Sequence, residues 1–196
     1  RISSGVVVWS SNCWDIRGSQ VSHNMQSNAE FRNKFYESYF AHQASRSGSG
    51  NLLEKMRDDH LHYKHELLPF LPVDRSAKIV EMACGYGSLL KFLTDLGYSP
   101  KGFDLSADQV GMANELGVSA EVLDIQDWIQ GNDGPIDTLL AIDLIEHFDK
   151  SELLDLLIDI RSKIKSNGTF IARTPNMDGI LPNQYAFGDF THGALI

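Results

Sequence analysis

Five clusters along the chain carry side chains and glycines suited to chemistry: EMACGYG (81–87), Asp104, Asp124, Asp143 with Glu146 and His147, and Arg173-Thr174-Pro175-Asn176. In the first, Gly85 and Gly87 suit a sharp turn where backbone must lie against a ligand without Cβ obstruction. A dinucleotide loop would read G-x-G-x-x-G, but Leu90 stands where the third glycine belongs. Asp104 follows the loop by about the 20 residues expected of a carboxylate that accepts hydrogen bonds from ribose hydroxyls. No G-x-x-x-x-G-K-[ST] sequence is present, and no Lys/Arg set lies near the loop to neutralise a triphosphate. The residues therefore point to a nucleoside ligand without phosphates.

The elements that must hold these clusters follow from periodicity. After Pro72 the chain alternates short apolar runs with helical ones: AKIVEMA, SLLKFLTDLG, KGFDL, ADQVGMANELG, SAEVLDI, DTLLAIDLI, ELLDLLIDIRSKI and GTFIART. That alternation predicts five parallel strands with crossover helices on both faces of the sheet. In such a sheet ligands bind beyond the carboxyl ends of the strands, and all five clusters fall there. Ser106 with Gln109 and Asp149 with Glu152 have capping-box spacing, while Gly97, Gly117 and Asn167-Gly168 read as helix stops or turns. Upstream, Leu53, Met56, His60, Tyr63 and Leu67 advance by three and four, predicting a helix that Pro69 and Pro72 end. Phe31, Phe35 and Tyr39 mark an earlier helix, with Tyr36 beside them, and SRSGSG (45–50) reads as a connector. We expect three regions: 1–24 as foreign, upstream or disordered sequence ahead of a natural start at Met25, 25–72 as a helical cap, and 73–196 as the nucleoside-binding domain.

Composition narrows the class. Seventeen Lys plus Arg against 26 Asp plus Glu give a net charge of -9, which argues against nucleic acid as partner because that affinity comes from clustered basic side chains. Residues 1–50 carry five basic and three acidic groups, and the remainder twelve and twenty-three. No apolar run approaches the roughly 20 residues of a membrane span. Cys13 and Cys84 are too few for a disulfide framework, so a reducing, cytoplasmic setting is expected. A small molecule is the expected partner, and no oligomeric state can be read. His60, His62 and His65 do not share a helix face, so no metal is expected.

Taken in order, VEMACGYG (80–87), GFDLS (102–106), EVLDI (121–125), AIDLIEHF (141–148) and SNGTFIARTPN (166–176) resemble the successive motifs of class I S-adenosylmethionine-dependent methyltransferases. The match runs from about Lys78 to Asn176. It implies an α/β fold: a Rossmann-like, doubly wound, mostly parallel sheet in three αβα layers, preceded by N-terminal helices. By the same resemblance the cofactor is S-adenosyl-L-methionine. Glu81, Ala83, Gly85 and Gly87 would surround its methionine part, Asp104 would bind its ribose hydroxyls and Asp124 with Ile125 would face its adenine, with Cys84 and Leu105 also among the cofactor-binding residues. Asp143 would lie between the methionine end and the acceptor. Ala83 stands where the family commonly has glycine. The family fold ends in two further strands, whereas 23 residues follow Arg173 here, so the resemblance implies a C-terminal truncation. YAFGDFTH (185–192) resembles a GDxTH segment of small-molecule and glycan-modifying members, pointing to a sugar or related metabolite as acceptor.

Methyl transfer from a sulfonium is an in-line displacement that needs the acceptor held close more than it needs an enzymatic nucleophile. A neutral hydroxyl acceptor gains from a general base, for which His147 ranks ahead of His192, with Asp143 orienting or deprotonating. Plainer readings stand beside these: Asp104, Asp124 and Asp143 as caps or turn residues, His60 as a hydrogen-bonded core histidine, His147 as an exposed residue before a cap, and NGT (167–169) as a turn rather than a glycosylation site. Two other functions remain open: a noncatalytic cofactor-binding domain, and a nicotinamide oxidoreductase, which Leu90 disfavours.

Overall fold

The computed structural model describes residues 4–10, 52–131 and 134–175. Its centre is a six-stranded sheet, β1 Ser4–Ser10, β2 Ile79–Met82, β3 Lys101–Asp104, β4 Ser119–Val122, β5 Ile136–Ile142 and β6 Ile164–Pro175, in the order β1-β6-β5-β2-β3-β4. The helices are α1 Leu52–Glu66, α2 Ser88–Asp95, α3 Ala107–Glu115, α4 Ile125–Gln130 and α5 Lys150–Lys163, with short 3₁₀ turns at Leu68–Phe70 and Ile145–His147. The five expected strands are parallel to one another.

Strand β5 shows how the sequence creates three layers. Its residues alternate between faces: Leu139 and Ala141 pack with Phe103, Trp128, Leu156 and Ile160, whereas Leu140 packs with Tyr63, Leu89 and Phe92. Helices α4 and α5 thus cover one face, and α1 and α2 the other. Alternating apolar residues on a strand with helices on both sides read as a near-continuous hydrophobic run, which is what DTLLAIDLI shows.

Two departures from the sequence reading concern the last parallel strand. First, Ser4–Ser10 is not disordered: it runs antiparallel along β6, Ser4 opposite Pro175 and Ser10 opposite Thr169, making the sheet mixed. Trp9 stacks on Phe170 at 5.6 Å between centroids, while Val6 and Val8 pack against the opposite cluster. The GVVVW run therefore supplies apolar side chains to both faces of the sheet. Second, Asn167-Gly168 does not end an element. It lies inside β6, where the pairing with β5 shifts register between Ile136 and Thr138. A Cβ on Gly168 would sit 2.5 Å from Ile164 Cγ2 and 2.9 Å from Asp137 O, so this irregularity excludes a side chain.

Other local signals hold. Asp149 and Glu152 form a complete capping box on α5, Ser106 caps α3, and Gly97 and Gly117 close helices with positive φ. Helix α1 buries Met56 and Tyr63 against α2, although Leu53 faces outward. The short helix α4 begins at Ile125, the last residue of the run SAEVLDI that the sequence assigned to a strand. The expected helix at 29–41, the 45–50 connector, YAFGDFTH and the remainder of 1–24 lie outside the described residues. Among the described residues no helix is long and apolar enough to cross a membrane.

Candidate active site at the carboxyl edge of the sheet

The chain leaves β2 through two left-handed residues, Ala83 (φ +52°) and Gly85 (φ +52°), and enters α2 at Gly87 (φ +82°). Gly87 cannot carry a side chain: a Cβ there would stand 2.8 Å from Ala113 Cβ. The turn is closed by Gly87 N–H donating to Cys84 O and continued from the sheet by Cys84 N–H donating to Phe103 O, both at 3.0 Å. No side chain caps α2, so its first amide groups face the loop.

Asp104, last residue of β3, ties the neighbouring strand to this loop. Its Oδ2 accepts from Gly85 N–H at 2.9 Å and its Oδ1 from Ser106 N–H at 2.8 Å. Burial raises the Asp104 pKa, against the lowering effect of these bonds. Leu105 is exposed next to it. Farther along the edge, Asp124 caps α4 by accepting from Gln126 N–H at 2.7 Å, which is its plainer reading, and Ile125 packs partly against the core.

Glu81 sits beneath the loop, 3% exposed, and its Oε2 meets no hydrogen-bond partner. Burial drives its pKa well up, Asp104 adds to this and Arg173 opposes it. Cys84 is a buried thiol whose pKa burial also pushes far up, so it is no nucleophile at neutral pH.

Across the edge Asp143 follows β5 in a left-handed conformation (φ +51°), its N–H donating to Arg173 O at 2.8 Å. Arg173 returns the contact through its side chain, Nε at 3.3 Å from Asp143 Oδ1 and Nη2 on Oδ2. Its Nη1 lies 3.8 Å from Glu66 Oε2, and its guanidinium stands 5.5 Å from the Tyr63 ring centroid. His147 ends the 3₁₀ turn, half-buried, beside the fully enclosed Glu146.

Helix α1 closes this face. His60 Nε2 donates to Ser88 O at 3.0 Å, and Tyr86 hydroxyl donates to Asp59. His60 is thus a hydrogen-bonded packing residue. Among the described residues no His/Cys/Asp/Glu group is arranged to hold a metal ion.

The geometry joins Gly85 to Asp104 at the carboxyl ends of parallel strands, and comparison with known proteins identifies the fold. The family model described as a methyltransferase domain matches residues 49–193. The chain belongs to this methyltransferase family. Among solved structures, a SAM-dependent methyltransferase from Archaeoglobus fulgidus superposes with a TM-score of 0.66 at 19% identity, over 81% of this chain and 67% of that one. The PH0226 protein from Pyrococcus horikoshii OT3 gives 0.52 at 27% identity, over 59% of this chain and 56% of that one. Magnesium protoporphyrin IX methyltransferase from Synechocystis PCC 6803, with bound SAM, gives 0.52 at 18% identity, over 74% and 75%. No curated protein matches the chain.

In this methyltransferase domain the edge gathers Glu81, Ala83, Cys84, Gly85, Gly87, Asp104, Leu105, Asp124, Ile125, Asp143 and His147, while His192 lies outside the described residues. Sequence reasoning named Arg173 and Glu146 as edge residues but gave them no role. A signal for Arg173 existed: an arginine closing an apolar strand, three residues short of the last motif's end.

Ala83 explains its own departure from the family pattern, because it adopts a conformation that glycine reaches freely. An L-residue there costs about 1 to 2 kcal/mol, partly offset by the greater unfolded-state freedom of glycine. Ala83→Gly is therefore expected to stabilise the domain by about 0.5 to 1 kcal/mol, read as a rise of roughly 2 to 4 °C in Tm. A lowered Tm would show that the alanine methyl is held by contacts that outweigh its backbone strain.

Proposed function

We propose that this methyltransferase domain binds S-adenosylmethionine across the ends of β2, β3 and β4 and directs its methyl group to a small-molecule acceptor, a sugar or related metabolite, in the cytoplasm. The observation that carries the reading is the Asp104 carboxylate bonded to Gly85 N–H, which puts a ribose-binding acid beside a Cβ-free backbone turn. The chemistry of the donor set fits the cofactor: a buried, unpartnered Glu81 oxygen suits a cationic end, and no basic cluster waits for phosphate. The Synechocystis relative holds SAM on the same fold. When bound, the cofactor supplies an electrophilic methyl on a sulfonium.

The chain's own residues then have three tasks. Asp104 holds the nucleoside at fixed height over the loop. Asp143, engaged by Arg173, orients the acceptor rather than deprotonating it. His147, at the end of the 3₁₀ turn that follows, takes the acceptor proton, and His192 is kept as a second base. The sugar reading rests on the resemblance of YAFGDFTH (185–192) to small-molecule and glycan-modifying members.

Calorimetry with S-adenosylmethionine, S-adenosylhomocysteine and NAD tests the cofactor: binding of the first two without the third is expected, and NAD binding alone overturns the reading. Transfer of labelled methyl to a panel of sugars and related metabolites then separates an enzyme from a noncatalytic binding domain.

A further inference from the structure

Helix α1 is attached to the glycine loop by more than packing. Lys55, Asp59, His60 and Tyr63 advance by four, one and three, which puts them on one stripe of the helix. From that stripe the rings of Tyr63 and His60 pack against Phe92 of α2, at 5.8 and 5.4 Å between centroids, and His60 Nε2 donates to Ser88 O. These contacts reach α2 rather than the loop. The loop itself is reached through one side chain, Tyr86, whose hydroxyl donates to Asp59 and whose ring centroid lies 5.1 Å from Lys55 Nζ. Burial and the Asp59 carboxylate raise the Tyr86 pKa, so the hydroxyl keeps its proton. Tyr86 stands between Gly85 and Gly87, both at positive φ. Gly85 is tied to Asp104 through its N–H, and Gly87 packs against Ala113. Each peptide joining them to Tyr86 has glycine on one flank, so local sterics leave its orientation open and the anchored phenol sets it.

Resting on the cofactor reading above, we propose that Tyr86 is a positioning residue: through Asp59 and Lys55 it makes α1 and the loop one cooperative unit, so that the loop keeps its ligand-ready shape only with α1 seated. Tyr86 gains no ligand contact in this role, and its effect on affinity passes through the helix. Linkage gives the coupling a second side, because a helix that strengthens ligand binding is itself held more firmly, by the same factor, once ligand is bound. Loss of the hydroxyl alone leaves Tyr63 and His60 on Phe92, so α1 stays folded without the anchor. Asp58, next to Asp59, is exposed and turned away from the stripe, which makes it the natural control.

Calorimetry with S-adenosylhomocysteine on the full chain, paired with hydrogen exchange, tests this. Tyr86→Phe and Asp59→Ala are each expected to weaken the ligand about five- to tenfold, and the double variant no further than either alone. Asp59→Asn keeps an oxygen that accepts from the hydroxyl and should stay within about twofold of the wild type, as should Asp58→Asn. In the wild type the ligand should slow exchange of the α1 amides more than those of α5, on the other face of the sheet, and Tyr86→Phe should remove that difference. Unchanged affinity in Tyr86→Phe with only a lowered Tm, additive losses in the double variant, or equal protection of α1 and α5 would each overturn the proposal. A wild-type chain that does not bind S-adenosylhomocysteine overturns the cofactor reading, whereas binding that ignores Tyr86→Phe overturns this proposal alone.

Discussion

Asp104→Ala is expected to weaken S-adenosylhomocysteine about a hundredfold and to lower stability by about 2 kcal/mol. Two separate losses add up to this. In the free protein the substitution removes the acceptor of Gly85 N–H and of Ser106 N–H, and leaving two half-buried donors without partners costs up to about 1 to 3 kcal/mol. In the proposed complex it would also remove the carboxylate that accepts from the ribose hydroxyls, and hydrogen bonds to a charged group contribute about 1.5 to 3 kcal/mol each. Asp104→Asn is the sharper probe. It keeps the volume but turns one acceptor into a donor, so an NH₂ group must confront either the Gly85 or the Ser106 N–H. Its affinity should fall by tenfold or more while the sheet stays intact. Calorimetry and thermal unfolding on both variants test this, and unchanged affinity for the nucleoside in the alanine variant would remove Asp104 from the site.

Asp104 also shows what a sequence can reveal. Its place depends on two short-range facts, the end of an apolar run and a separation of about 20 residues from a glycine loop. The parallel strands, α2, α3 and α5 were legible for the same reason, since each is specified by its own periodicity and caps. Strand β1 was not. GVVVW has strand composition, but its partner β6 is about 160 residues away, and nothing local announces that pairing. Asn167-Gly168 misled in the opposite way: a strong turn signal was overridden by the ladder with β5, which absorbs the glycine as an irregularity. Helix α4 is six residues long, too short for a 3.6-residue period to emerge from the apolar run before it. At the site, the glycines and acids were visible because the backbone needs them where they stand. Arg173 and Glu146 matter through what surrounds them in space, Asp143, Glu66 and Thr174, and that neighbourhood is a product of the fold.

Glu146→Gln should stabilise the domain at neutral pH, contrary to the usual effect of a buried substitution. Glu146 is 3% exposed and neither carboxyl oxygen makes a well-formed hydrogen bond. Burial raises its pKa to about 8, Asp143 pushes the same way, and Thr174 and Arg173 moderate the rise. The ordinary value is 4.5, so the folded state holds a proton that the unfolded chain releases between the two. The contribution is fully present below pH 4.5 and is lost as pH rises towards 8, at about 1.4 kcal/mol per pH unit, reaching roughly 3 to 5 kcal/mol. The glutamine variant has no such slope. Any fixed cost of burying its amide shifts its whole curve, so the decisive quantity is the difference in slope from pH 4.5 to 8, followed by urea unfolding. Parallel curves would mean that Glu146 is ionised in the folded protein and finds a partner there. A steeper wild-type curve would establish a neutral carboxylic acid beside Asp143 at physiological pH. Such a group can donate a hydrogen bond but cannot take up the acceptor's proton, so under the proposed function that proton would go to His147, one residue on.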